Sequence, residues 1–214
     1  IALGHRKVAW FAPEGDHAWE RNRLGGLCEA FEALGLRKAV TVYRGATASA
    51  EQREADQHEQ QSLASELQTI RERVLKHEWF AGELQHQIGN LVDIAAHLRL
   101  REAYGSCFDQ ALADPDITAW VGANDAVALA AIAHLSRAGK RIPQDMSVAG
   151  FDDTIDAVLS GLTSYSINEE KIAGAVISHI LSPSARRSRA GPLLEVPGIV
   201  MARSSTGAAR TTAA

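Results

Sequence analysis

Sulfur is scarce in this chain: 214 residues include two cysteines and two methionines. Cys28 and Cys107 lie far apart and neither has a CxxC partner, which excludes a cysteine-built zinc site or redox dithiol. Two reduced, partly buried thiols in a cytosolic protein are expected, with a single disulfide as the other arrangement open to them. Apolar runs are short, and none approaches the roughly 20 residues of a membrane-spanning helix. No stretch reads as a secretory leader. Excess positive charge is also missing. A net charge of −4 offers no electrostatic footprint for nucleic acid, and the densest basic run, Arg186-Arg187-Ser188-Arg189, sits among Ser, Ala and Gly as a solvated loop does.

The signatures of catalysis are lacking as well. The eight histidines form no HxH or HExxH grouping, and no GxSxG elbow, GxGxxG turn or Walker loop is present. Asp152 and Asp153 are adjacent, so in most backbones their side chains point apart, which suits paired acid–base work poorly. No catalytic residue, metal or cofactor is expected, and the chain is not expected to be an enzyme.

What is present is a strand–helix rhythm. Lys7 to Pro13 (KVAWFAP) is a short apolar run ending in proline, as a buried strand does. From Trp19 to Leu34 the apolar residues Leu24, Leu27, Ala30, Phe31 and Leu34 follow helical spacing, and Gly35 is placed to end the helix. Ala39 to Tyr43 (AVTVY) is a second strand. The rhythm resumes with a helix over Tyr104 to Ala113, a strand over Ile117 to Gly122, a helix over Asp125 to Ala138 and a strand over Met146 to Phe151. Ser164 to Ile167 is strand-like, Glu169 to Leu181 is helical with Asn168 as its cap, Ser182 to Pro192 is a polar loop and Leu193 to Ala202 is extended. Such alternation predicts an α/β fold, a doubly wound and mainly parallel sheet flanked by helices. Function is then expected just past the carboxyl ends of the strands.

One region breaks the rhythm. Glu51 to Lys76 and Leu84 to Leu100 are rich in helix formers, with a heptad-like stripe at Leu63, Leu67, Ile70 and Val74. They predict a helical-hairpin insertion over about residues 50–100, packed on its own domain or on a dimer partner. The residues after 206 are expected to form a disordered tail, 207–214.

Three segments, in this order, carry a resemblance. Leu3 to Phe11 (LGHRKVAWF), followed by Arg23-Leu24-Gly25-Gly26-Leu27, Ala30-Phe31 and Gly35, is similar to "LGHRRIAFI" and "RxxGFxxALxxxG". Thr118 to Asp125 (TAWVGAND), then Ala128-Leu129, is similar to "TAIVAANDxxALG". Ile142 to Asp153 (IPQDMSVAGFDD) is similar to "VPEDVSVVGFDD", with Leu162-Thr163 and Val200 to Thr206 (VMARSST) fitting "PLTTV" and "VVREST". Together they resemble the effector-binding domain of the lactose/galactose-repressor family, which has the periplasmic-binding-protein type I fold. The resemblance covers residues 1–45 and 103–206 and leaves residues 50–100 unexplained.

In that family the first motif opens the second of two ligand-binding lobes. The resemblance therefore implies that residues 1–206 are a C-terminal lobe. It implies that a DNA-binding head and most of the first lobe lie upstream, as the start at Ile1 also suggests. The helix over 168–181 belongs by this resemblance to the absent lobe. It is expected to pack on another copy or to lack order, and burial of Ile172, Val176, Ile177 and Ile180 on the chain's own sheet would contradict that. The implied function is sensing of a sugar-like small molecule by a cytoplasmic, homodimeric transcription regulator, without membrane contact and with DNA bound only through the head. A solute-binding component of a sugar transporter on the same fold is the alternative.

Candidate ligand residues follow from position and chemistry. Arg23, on the first helix, carries a planar fork that can donate two hydrogen bonds to vicinal hydroxyls or a carboxylate. Asp152 follows a strand, and its carboxylate can accept from two hydroxyls. Asn124, also just past a strand, can donate and accept, whereas Asp125 is expected to cap the next helix and Asp153 to play a capping role after its strand. Trp19, at the entry to the first helix, and Phe151, at a strand end, are candidates to stack on a sugar face. Trp10 and Trp120 lie within strands and are expected in the core.

Overall fold

The computed structural model describes residues 1–13, 15–46, 99–181 and 195–210. The expected hairpin lies outside the described residues, except that 99 and 100 open the helical stretch 99–112. In chain order the elements are β1 (Val8–Ala12), α1 (Ala18–Glu32), β2 (Val40–Arg44), α2 (99–112), β3 (Ala119–Gly122) and α3 (Asp125–Arg137). They continue with β4 (Ser147–Phe151), α4 (Ile155–Leu159), β5 (Thr163–Ser166), α5 (Glu169–Leu181) and β6 (Ile199–Met201).

The strands form one sheet in the order β2-β1-β3-β4-β5-β6. The first five are parallel and β6 runs antiparallel to β5, with Ser164 opposite Met201. The expected doubly wound, mainly parallel architecture is what the chain adopts. β1 is buried at all five positions, the consequence of an inner parallel strand covered on both faces. Its side chains alternate between two cores. Ala9 and Phe11 pack with Tyr104 and Phe108 of α2, Trp120 of β3 and Val127, Ala131 and Leu135 of α3. Val8 packs on the other face with Phe31 and, partly buried, Leu27 of α1, while Trp10 meets Leu24 and Leu27. Phe108 stacks on Trp120 at 5.5 Å and meets Phe11 edge-on at 4.9 Å.

α1 ends close to the expected boundary, with Gly35 at φ 75°, a conformation that costs glycine little. Two local expectations are corrected. Asn168 adopts φ 61°, outside the extended conformation of an N-cap, although its backbone carbonyl accepts the first helical hydrogen bond from Ile172 N as an N-cap's does. The chain after 206 is held in place as far as Arg210: Gly207 N donates to Ser147 Oγ, Ala209 N to Leu3 O and Arg210 Nη2 to Pro115 O. Backbone N–H groups of the last segment thereby find partners at Ser147 and Leu3, and residues 211–214 lie outside the described residues. Both cysteines are free thiols, Cys107 buried and Cys28 half-buried.

α5 has no buried residue, and Val176, Ile177 and Ile180 are 51%, 56% and 60% exposed. Its apolar side is not docked on the chain's own sheet. No described helix is long and apolar enough to cross a membrane.

Candidate functional site

The sheet order places a switch point between β1 and β3. The loop after β1 leads to α1 on one face and the loop after β3 leads to α3 on the other, opening a crevice at their carboxyl ends. Arg23, on the second turn of α1, reaches across it. Its Nη1 donates to Ala123 O at 2.7 Å and its Nη2 to Asp152 Oδ1 at 2.6 Å, which joins the segments after β3 and β4. The guanidinium also lies 4.9 Å from the Trp19 ring centre and 5.2 Å from that of Phe151. Four of the five candidate residues thus converge on one spot: a bidentate donor, a carboxylate and two aromatic faces.

Asn124 stands beside this group with part of its chemistry already engaged. It has extended backbone and is the N-cap of α3, its Oδ1 accepting from Val127 N at 3.0 Å. That leaves its amide N–H groups to offer a ligand. The expected division of labour in this pair is corrected, because Asn124 supplies the cap and Asp125 does not. Asp125 is 1% exposed, and its carboxylate accepts from Ser164 Oγ at 2.6 Å and from Thr154 N and Oγ1 at 2.8 and 3.1 Å. Burial pushes its pKa up, opposed by these hydrogen bonds. Asp153 is corrected too. Thr154 caps α4, while Asp153 is tied to Arg203 Nη2 at 2.5 Å, both side chains being largely buried.

Asp152 and Asp153 hold φ angles of 103° and 55°. Two consecutive left-handed non-glycine residues are sparsely populated conformations that persist where neighbours over-determine them. Here they turn the chain so that Asp152 faces Arg23 and Asp153 faces Arg203, which separates the adjacent carboxylates.

Two supporting groups are not among the sequence candidates. Glu20 is fully buried and accepts Trp10 Nε1 at 3.0 Å, with Arg44 Nη2 at 3.4 Å. Trp10 in turn meets Phe151 edge-on at 5.8 Å. The available signal was a charge on an apolar stripe, since Glu20, Leu24, Leu27 and Phe31 share one helix face. His5 is buried, with Nδ1 2.8 Å from Thr118 Oγ1 and Nε2 3.1 Å from Gly207 O, and no local pattern marks that pairing. Among the described residues no group of three or more His, Cys, Asp or Glu is placed to hold a metal ion.

The group sets hydrogen-bond donors, an acceptor and two flat aromatic faces together at one crevice. Comparison with known proteins agrees on the fold. The family model described as periplasmic binding protein-like domain matches residues 1–206. No curated protein matches the chain. A LacI transcriptional regulator from a Rhodococcus species is 21% identical with a TM-score of 0.61, covering 97% of this chain and 58% of that one. A dimeric Lac repressor with a C-terminal deletion is 20% identical with a TM-score of 0.60, over 97% and 58%. A LacI-family regulator from Enterococcus faecium with bound ribose is 16% identical with a TM-score of 0.59, over 98% and 60%. The chain therefore spans less than two thirds of each of these structures, and the likeness is one of fold. The family match runs through all six strands of the sheet, and on it the chain belongs to the periplasmic binding protein-like domain family.

Proposed function

We propose that this chain is one lobe of the ligand-sensing domain of a bacterial transcription regulator, and that it binds a sugar or related polyol without transforming it. The observation that carries the proposal is the Arg23–Asp152 pair set between Trp19 and Phe151 at the switch point of the sheet. A carboxylate and a guanidinium side by side match the donor and acceptor pattern of vicinal hydroxyls, and flat aromatic faces match the apolar face of a sugar ring. The ribose bound in the Enterococcus faecium regulator and the kinship in fold with LacI-type regulators support this choice over other ligands.

The remaining ligand contacts come from a first lobe outside this chain, whose fold relatives are longer. The bare apolar side of α5 is the surface that packs on that lobe. The intact regulator is a cytoplasmic homodimer that contacts DNA through a separate head, as a Lac repressor dimer bound to operator does. Ligand binding shifts the population between two lobe arrangements in proportion to its differential affinity for them. The experiment is calorimetric titration of D-ribose into the full-length regulator and its Arg23→Ala and Asp152→Ala variants. Loss of affinity in both is expected, and unchanged affinity in both overturns the site.

A further inference from the structure

The turn that presents Asp152 is held by a buried residue of the neighbouring helix. We propose that buried Asp125 is a positioning residue: through Ser164 and Thr154 it holds the left-handed turn at Asp152 and Asp153 and so aims the Asp152 carboxylate at Arg23. The inference rests on the assignment of Arg23 and Asp152 to the ligand site.

Three successive backbone amides of this turn each have a dedicated acceptor. Asp152 N donates to Tyr165 O at 3.0 Å, Asp153 N to Ser164 Oγ at 3.0 Å and Thr154 N to Asp125 Oδ2 at 2.8 Å. The Ser164 hydroxyl has a single proton and gives it to Asp125 Oδ1, so its lone pair is turned toward Asp153 N–H. The Thr154 hydroxyl behaves alike, donating to Asp125 Oδ2 and accepting from Ala157 N at 3.3 Å. One carboxylate therefore orients both hydroxyls and sets two of the three amides. Asp125 is itself fixed as the first residue of α3 and fills the space that a side chain at Gly150 would need.

This construction goes beyond what a connecting turn requires. Glycine at positions 152 and 153 adopts positive φ without strain. A glycine at 152 would remove the carboxylate that faces Arg23, and one at 153 would remove the partner of Arg203. The chain keeps both aspartates and over-determines their backbone instead, as strained functional turns do. Thr154 also caps α4, so the same hydrogen bonds tie the turn to that helix.

The test is amide hydrogen exchange by NMR on the 214-residue chain, read together with the Arg23 guanidinium proton signals. In the wild type the amides of Asp153 and Thr154 are protected although their residues are not buried. In Ser164→Ala, exchange at both accelerates about tenfold and the slowly exchanging Arg23 signals are lost, while amides of β1 and β3 keep their wild-type protection. Unchanged Arg23 signals in that variant overturn the proposal, because a purely structural hydroxyl would not reach the guanidinium. Absence of wild-type protection at Asp153 overturns it even if Ser164→Ala does not fold. Failure of the ligand-site assignment shows separately, as unchanged ribose affinity in Arg23→Ala and Asp152→Ala.

Discussion

Arg23 Nη2 donates to Asp152 Oδ1 at 2.6 Å across 129 positions of sequence, and the same guanidinium donates to Ala123 O. The pair is partly solvated, with the side chains 20% and 37% exposed. Its contribution to stability is accordingly small. Arg23→Ala or Asp152→Ala should cost about 1 kcal/mol or less in urea denaturation of the chain. The same substitutions should weaken ligand binding by the full-length regulator about tenfold or more, because a charged hydrogen-bonding partner is lost. A large stability loss with no effect on affinity would reverse the assigned roles.

Arg203 and Asp153 behave in the opposite sense. Their side chains are 16% and 17% exposed, and Arg203 also donates to Leu162 O at 2.7 Å. Arg203→Ala leaves a poorly solvated carboxylate without its partner, and a loss of roughly 2–3 kcal/mol in denaturation experiments is expected.

Asn124→Ala removes the N-cap of α3 and should cost about 1 kcal/mol in the ligand-free chain. In the full-length regulator it should also lower ligand affinity if its amide N–H groups contact ligand. Calorimetry beside denaturation separates the two effects.

Stability should depend on His5. Burial lowers its pKa below the ordinary 6.5 despite the hydrogen bond to Gly207 O. The folded state thus binds its proton less readily than the unfolded state. The stabilisation is fully present above about pH 6.5 and is lost as pH falls below that value through the folded pKa. Denaturation midpoints of wild type and His5→Gln should therefore converge between about pH 7.5 and pH 5.5. A constant gap across that window would show that His5 does not titrate differently on folding.

Ile177 tests the proposed division between lobes. It is 56% exposed on a helix with no buried residue, so Ile177→Ser should change the stability of this chain by no more than about 0.5 kcal/mol. In the full-length regulator, where that face is proposed to be covered, the loss should reach roughly 1–3 kcal/mol.

The sequence by itself determined the strand–helix order, the burial of β1 and the placing of the candidate residues past the strand ends. These follow from local apolar periodicity, which reports how each segment must be covered. It also singled out Arg23, Asp152, Trp19 and Phe151, because glycine-bounded strand ends and the family-like segments are contiguous in the chain. Only the tertiary structure decided that these four meet at one guanidinium, that Asn124 caps a helix while Asp125 is buried, and that Asp153 turns away to Arg203. Apart from the Asn124 cap and the Trp19–Arg23 contact, which are local, those outcomes depend on partners 29 to 129 positions away and on two left-handed backbone angles at Asp152 and Asp153. Hydrogen-bond satisfaction of a buried carboxylate is settled by whichever donors folding brings within reach, and no local pattern of residues encodes that.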